Sequence, residues 1–254
     1  MRYQLELFFT ALMFYTRIPT PKWVPYSKQH LQDASQYLPL VGWVIGGIGA
    51  GIFMLANQLF PISVAVILST IATILATGAF HEDGFADVCD GFGGGWEKDR
   101  VLEIMKDSSV GAFGAIGIFL LLALKLTTLA TIPVELLPFI IFVAHPLSRF
   151  AAVSLMFTHD YARKTKDSKS EKLARQMGWQ GLTVSTLFGL LPLILLPLKF
   201  LWLILPVFIL RLLMSAYFQK RIGGYTGDCA GAVQQVTEVG AYLGVLAVSS
   251  LVIG

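Results

Sequence analysis

Seven apolar stretches, each close to the length of a membrane-spanning helix, account for most of this 254-residue chain. A helix crosses a hydrocarbon core of about 30 Å with about 20 mostly apolar residues. The stretches cover approximately residues 37–60, 62–80, 111–132, 136–158, 182–197, 199–218 and 236–254. They predict an all-α fold, a polytopic integral membrane helical bundle with about seven transmembrane helices.

The composition supports a membrane protein and excludes other classes. Hydrophobic residues make up 55% of the chain and charged residues only 14%, whereas about a quarter of the residues in a soluble domain are charged. A mean hydropathy of +0.68 leaves too little polar surface to cover a water-soluble globule. A net charge of +3 does not indicate a basic nucleic-acid-binding surface, so we expect no nucleic-acid partner.

The apolar segment at the N-terminus is shorter than a span. It runs from Leu5 to Ile18, and Pro19 and Pro21 end it. Glu6 interrupts its start and no small-residue cleavage site follows it, which argues against a signal peptide. We therefore expect a short interfacial or re-entrant helix before the first span.

Lysine and arginine lie in alternate loops between the predicted spans. Short cytoplasmic loops collect these residues, so their loops are predicted to be cytoplasmic. Fourteen of the nineteen form four groups: Arg17, Lys22 and Lys28; Lys98, Arg100 and Lys106; six residues from Arg163 to Arg175; and Lys220 with Arg221. Seven crossings from this start place the C-terminus outside.

Half of the sixteen acidic residues fall between Glu82 and Asp107. On a helix, Asp83, Asp87 and Asp90 lie within about 60° of arc on one face. Carboxylate oxygens suit a hard cation, and Mg²⁺ often bridges carboxylates to substrate phosphates. The pattern therefore predicts a Mg²⁺ site, with Mn²⁺ as the alternative metal. A solvated acidic loop is the competing interpretation, but no lysine is mixed into residues 81–97.

Two further polar groups accompany the acids. Arg100, Lys106 and Asp107 come next, and the basic pair is predicted to neutralise phosphate oxygens. Pairing along the helix surface, for instance between Glu103 and Lys106, is the alternative. The third group is the stretch R-I-G-G-Y-T-G-D-C-A-G-A from Arg221 to Ala232. We expect this stretch to contact substrate through four residues: Arg221, Thr226, Gly227 and Asp228.

His81 and Arg149 are the remaining candidates. His81 adjoins the acids and is predicted to orient a carboxylate or act as a base, although a satisfied polar histidine is the commoner case. Arg149 lies within the fourth predicted span. Placing a charge in the membrane costs free energy, so a charged residue there is taken to have a function. It is expected either to reach a substrate phosphate or to pair with a buried acid.

The motifs H-E-D-G-F-A-D-V-C-D-G, E-I-M-K-D-S-S-V-G-A-F-G and G-G-Y-T-G-D-C-A-G-A occur in this order. With them the chain closely resembles the cobalamin synthase family, the adenosylcobinamide-GDP ribazoletransferases. The resemblance implies a multi-pass enzyme of the cell inner membrane with its active face in the cytoplasm. It also implies that adenosylcobinamide-GDP is joined to α-ribazole or its 5′-phosphate with release of GMP, and that Mg²⁺ is required.

The family motifs also imply roles for individual residues. Asp83, Asp87 and Asp90 fall on the metal-binding acids, with Glu82 as a further ligand, while Asp107 and Asp228 occupy the other two motifs. We expect one membrane-embedded enzyme domain, residues 1–254, whose catalytic face is built from 81–114 and 219–235. Membrane lipid is an expected partner. A homo-oligomer and an association with other cobalamin-assembly enzymes both remain open.

Two other functions compete with this one. A phospholipid-forming CDP-alcohol phosphotransferase also cleaves a diphosphate with clustered aspartates, but its D-G-x-x-A-R pattern is absent here because Asp87 directly follows D-G-x-x. A cation-coupled transporter would explain the intramembrane residues Lys125, Arg149 and Arg211. Transporters place their acids near the bilayer midplane, whereas these acids lie at one predicted membrane edge.

Overall fold

The computed structural model describes residues 2–25, 27–163 and 177–253, and eleven α-helices make up most of this part of the chain. In chain order they are α1 (Arg2–Tyr15), α2 (Lys28–Ala34), α3 (Leu38–Ala56), α4 (Ile62–Thr77), α5 (Phe80–Gly94), α6 (Lys98–Ile104), α7 (Ala112–Thr131), α8 (Leu137–Thr158), α9 (Trp179–Leu190), α10 (Ile204–Ile222) and α11 (Gly227–Ile253). In the described residues, β-type pairing is limited to one isolated bridge between Tyr161 and Tyr225.

Four helical stretches in the described part are long and apolar enough to cross a membrane. They are Gln29–Ala56, Ala112–Thr131, Leu137–Thr158 and Leu198–Ile222. A fifth candidate is the pair α4 and α5, which is bent by 88° at the break between the two helices. The predicted all-α membrane bundle is therefore confirmed. The predicted count of about seven spans is not confirmed by these four or five.

Helix α1 has the short length expected of the N-terminal segment. Its 14 residues extend about 21 Å at 1.5 Å per residue, less than a hydrocarbon core. Leu7, Ala11 and Leu12 are buried and pack with Leu38 and Val41 of α3 in one apolar cluster. This cluster fixes α1 against the start of the first long span.

Helices α3 and α8 approach so closely that glycines are required at their contact. A Cβ atom on Gly42 would lie 2.7 Å from Cα of Pro146, and one on Gly46 would lie 2.7 Å from the Phe142 carbonyl oxygen. Pro146 has no N–H to donate to that carbonyl, which is four residues earlier. Small residues at such contacts let membrane helices pack backbone to backbone.

Gly46→Ala should destabilise the protein, whereas Gly47→Ala should not. The Gly46 methyl would meet immobile α8 backbone, and overpacking of this kind costs about 1–3 kcal/mol. Gly47 has no atom within 4 Å of its Cβ position, so alanine there is neutral or stabilises the helix by up to about 1 kcal/mol. Thermal unfolding of the two variants in the same detergent measures the difference, and equal melting temperatures would contradict the packing argument.

The break between α4 and α5 turns α5, the helix that carries the acidic residues, away from the axis of α4. Gly78 and Ala79 both adopt the left-handed conformation, with φ of 66° and 58°. Ala79 is an L-residue in a region that costs about 1–2 kcal/mol, and such strain is often found beside functional sites. The turn is braced because the Arg17 N–H donates to the Ala76 carbonyl over 2.7 Å.

Candidate active site

The acidic helix α5 and the start of α11 pack directly against each other. A Cβ on Gly84 would lie 3.1 Å from Cα of Asp228, a tight contact, so glycine here favours the close approach of the two backbones. The contact brings the first and third sequence motifs together. Asp83, Asp87 and Asp228, which we call the acidic cluster, lie at this junction.

Charges within the acidic cluster repel one another. Partial burial, followed by the negative charges of Asp83, Asp228 and Asp90, raises the pKa of Asp87 to about 6. Burial also raises the pKa of Asp228, although the Arg163 guanidinium opposes that shift. Since each carboxylate would be more stable with a positive charge nearby, the cluster is electrostatically suited to a cation.

Asp228 is held by groups from two segments. The Arg163 Nη2 donates to Asp228 Oδ2 over 2.7 Å, and the Thr226 hydroxyl donates to the same oxygen over 3.2 Å. The Thr226 hydroxyl also accepts the Cys229 N–H, which satisfies a free donor in the first turn of α11. No atom lies within 4 Å of a Cβ built on Gly227, so the chain is open to a ligand there.

Asp90 uses both of its oxygens inside the protein. Oδ2 accepts the Gly111 N–H and Oδ1 accepts the Gly114 N–H, each over 2.8 Å. These are donors at the start of α7 that have no partner within the helix, and a negative charge there is also favoured by the helix dipole. A side chain on either glycine would collide with the carboxylate. Asp90 therefore fixes α5 to the start of a membrane span.

Asp90→Asn should lower stability, and Asp83→Asn should not. Asparagine has one acceptor oxygen, so its amide NH₂ would face an N–H at the start of α7. Loss of a hydrogen bond to a charged group costs about 1.5–3 kcal/mol. Asp83 is exposed and serves as the matched control. Thermal unfolding compares the two, and a melting temperature for Asp90→Asn equal to that of Asp83→Asn would contradict this role.

The four residues predicted to bind metal divide between three environments. Asp83 and Asp87 belong to the acidic cluster, and Asp90 binds the start of α7. Glu82 points to the other side of α5, where the Gln235 Nε2 donates to its Oε1 over 2.9 Å. Within the described ranges, no three His, Cys, Asp or Glu side chains are grouped to hold a metal ion. The donors that fit a hard cation by chemistry are the carboxylates of the acidic cluster.

The basic residues predicted at the site also lie in different environments. Arg100 is exposed and pairs with Glu103 over 2.7 Å, which is the surface pairing considered as the alternative. Lys106 lines a cavity beside Arg163. Asp107 is exposed, and hydrogen bonds from the Ser109 hydroxyl and N–H hold its pKa below the ordinary value. These contacts place Lys106 at the site and leave Arg100 and Asp107 on its outer surface.

Arg221 joins the end of α10 to the end of α5. Its Nη2 donates to the Gly95 carbonyl over 2.7 Å, and its Nη1 donates to the Tyr217 hydroxyl over 2.5 Å. The guanidinium also lies over the Phe92 ring, 5.3 Å from the centroid. Arg221 thus holds the glycine-rich turn before α11 beside the acidic helix.

A buried polar network lies behind α5, and Glu238 is at its centre. Glu238 is 1% exposed. Its Oε1 lies 2.6 Å from Lys125 Nζ and accepts the Tyr242 hydroxyl over 3.1 Å. Its Oε2 lies 3.2 Å from His145 Nδ1 and accepts from Gln234 Nε2 over 2.5 Å.

Arg149 and His81 both border this Glu238 network. Arg149 Nη1 lies 3.0 Å from His145 Nδ1 and donates to the His145 carbonyl. His81 is buried and stacks on Tyr15, with ring centroids 6.4 Å apart. Arg149 Nε and His81 Nε2 are buried without a hydrogen-bond partner in the described part of the protein. The side chains of both predicted residues are thus buried inside the bundle, that of His81 at the start of α5 and that of Arg149 in α8.

Comparison with known proteins identifies the family. A family model described as cobalamin-5-phosphate synthase matches residues 7–246. The chain belongs to the cobalamin-5-phosphate synthase family. A relative from Shewanella amazonensis is 44% identical over 94% of each chain, and one from Shewanella frigidimarina is 43% identical over 96% of this chain and 95% of its own. Both are named adenosylcobinamide-GDP ribazoletransferase. No solved structure matches the chain.

The resemblance to the cobalamin synthase family is therefore confirmed, yet several residues at this site were not predicted. Glu238, Gln234, Gln235 and Arg163 carry most of the contacts around the predicted residues. Glu238 had a signal, because it is the only acid in the seven apolar stretches and intramembrane acids mark functional positions. Arg163 stands at the start of a basic loop whose remaining residues, Lys164 to Arg175, lie outside the described part.

Proposed function

We propose that this member of the cobalamin-5-phosphate synthase family joins adenosylcobinamide-GDP to α-ribazole or its 5′-phosphate and releases GMP, as a late step of cobalamin biosynthesis. The observation that carries the proposal is identity of 43–44% over 94% or more of the chain to relatives named for this reaction. The acidic cluster supports it, because transfer of a phosphoryl group depends mainly on positioning and charge neutralisation.

The reaction breaks one phosphorus–oxygen bond and forms another. A hydroxyl of α-ribazole attacks the phosphorus attached to the corrinoid, in line with the departing oxygen. The bond from that phosphorus to the GMP oxygen breaks, and GMP leaves with the electron pair. The hydroxyl proton passes to a base. A carboxylate of the acidic cluster is more accessible for this step than His81, whose side chain is buried at the start of α5.

We propose that Asp83 and Asp87 of the acidic cluster hold Mg²⁺, or Mn²⁺ in its place. Support comes from the oxygen donors and from the repulsion that raises the pKa of Asp87. When bound, the cation supplies positive charge to the diphosphate. Asp228, the third member of the acidic cluster, is held by Arg163. Asp90 keeps α5 in place through the start of α7.

We also assign the enzyme, as one membrane-embedded domain, to the cell inner membrane with its active face in the cytoplasm. The support is the distribution of charge. Arg163 pairs with Asp228 of the acidic cluster, Lys98 and Lys106 line the cavity beside Arg163, and Arg221 binds the end of α5. Cytoplasmic loops are rich in such residues. The outer faces of α7 and α10 expose large apolar side chains such as Phe119 and Leu213, which suit contact with lipid.

The transporter alternative loses its main argument in this structure. Lys125 and Arg149 were intramembrane charges without an assigned partner in the sequence. Lys125 now pairs with Glu238, and Arg149 contacts His145 of the same network. Because both residues have partners inside the bundle, an ion pathway is not needed to explain their presence there.

The decisive experiment is an assay of the purified protein in detergent with adenosylcobinamide-GDP, α-ribazole and Mg²⁺. We expect GMP and a cobalamin product in equal amounts. Omission of α-ribazole is the control, and it should abolish GMP release. A preparation that folds normally yet releases no GMP, while a Shewanella relative does so under the same conditions, would contradict the proposed function.

A further inference from the structure

A cavity of about 430 Å³ lies between α6 and the segment at residues 162–163. Its lining includes Lys98 and Lys106 from the two ends of the α6 region and Arg163 from the segment that follows α8. Cavities of 300–1,000 Å³ are the usual size for small-molecule sites. This one is therefore large enough for a nucleoside monophosphate.

The cavity carries an excess of usable positive charge. Asp99 and Glu103 also line it. Glu103 is already paired with Arg100, as Arg163 is with Asp228. Lys98 and Lys106 form no ion pair with any residue in the described part of the chain, so their ammonium groups are available to a ligand. Lys98 Nζ lies 3.4 Å from the position of a Cβ on Gly223, which brings this lysine next to the turn before α11.

Arg163 connects the cavity to the acidic cluster. Its Nη2 donates to Asp228 Oδ2 over 2.7 Å, while its Nε is buried without a partner in the described part of the protein. One guanidinium thus borders both the cavity and the predicted place of reaction. A group bound in the cavity lies beside the carboxylates of the acidic cluster.

We propose that this cavity is a phosphate subsite in which Lys98, Lys106 and Arg163 bind the phosphomonoester of a nucleotide. The inference rests on the proposed function, because it is the proposed reaction that presents such a group next to the acidic cluster. Two sources share this chemistry: the GMP that leaves, and the 5′-phosphate of a phosphorylated α-ribazole. Asp99 at the lining supplies an acceptor for a sugar hydroxyl.

The test compares Lys98→Gln/Lys106→Gln with Lys220→Gln, which removes an exposed lysine outside the cavity at the end of α10. Binding of GMP, α-ribazole 5′-phosphate and α-ribazole to the full-length protein is measured by thermophoresis. We expect the double variant to bind at least one phosphomonoester about tenfold or more weakly, since two charge-assisted contacts are lost. Binding of α-ribazole should not change, and Lys220→Gln should bind all three ligands like the wild type.

Each outcome bears on the proposal. Weaker binding of GMP alone identifies the leaving nucleotide as the occupant, and weaker binding of α-ribazole 5′-phosphate alone identifies the acceptor. Wild-type affinity of the double variant for both phosphomonoesters overturns the subsite, as does an equal loss in Lys220→Gln. Binding is measured without turnover, so failure of the subsite is distinguishable from failure of the transferase, which is detected by the absence of GMP release.

Discussion

Asp87→Asn should reduce GMP release by about a hundredfold to a thousandfold, the usual loss when one electrostatic contact to a reacting group is removed. Asparagine keeps the shape of the side chain but removes the charge at the centre of the acidic cluster. The same change should preserve or raise stability. The pKa of Asp87 is raised to about 6 in the folded protein, above its value of 3.8 when unperturbed, so at pH 7 the ionised carboxylate opposes folding.

Steady-state GMP release and thermal unfolding of Asp87→Asn measure the two effects together. Glu97→Gln is the matched control, because it removes one negative charge from an exposed position just after α5. This control should retain wild-type activity. A near-normal rate for Asp87→Asn would show that Asp87 is not needed for catalysis. A large loss of stability would show that other groups in the folded protein stabilise its negative charge.

Glu238→Ala should destabilise the protein by about 3–5 kcal/mol, because it leaves buried Lys125 without its partner. The change also leaves the Tyr242 hydroxyl and the Gln234 amide without their acceptor. Chemical unfolding in detergent measures the loss. Activity should fall as well, since Gln235 of the same helix holds Glu82 of the acidic helix.

Lys125→Met in the Glu238→Ala background tests whether the uncompensated charge is the cause. Methionine fills similar volume without a charge, so the double variant should recover part of the lost stability. A double-mutant cycle gives the coupling between the two positions. If the losses of the two single variants simply add, the ion pair contributes no coupling and the network argument is wrong.

The helical membrane fold could be predicted from the sequence because the thickness of the bilayer sets how long an apolar stretch must be to cross it. The span count could not, since the stretch at 62–80 is broken at Gly78 and Ala79 and the apolar helix Trp179–Leu195 is shorter than a span. Ala79 carries a Cβ and has a φ of 58°, which no local sequence rule predicts. As a result, the segment predicted to follow a straight span is a separate helix at 88° to α4.

The sequence predicted which acids share a helical face, but not what each face contacts. Helical spacing groups Asp83, Asp87 and Asp90, yet the partners of Asp90 lie 21 and 24 residues further along the chain. Glu82 and Asp83 are adjacent and differ by about 100° around the helix. One therefore contacts Gln235 in the interior, while the other is exposed in the acidic cluster. Only tertiary packing distinguishes these roles.

The 88° bend between α4 and α5 has a consequence for how far the reactants must travel. Because α5 lies nearly perpendicular to α4, its carboxylates differ little in position along the direction of α4. In the proposed topology, a charged diphosphate meets all of them at one level of the cytoplasmic face, and GMP returns to water from the same level. The rest of the bundle holds that level constant, because Asp90 ties α5 to α7 and Gln235 ties it to α11.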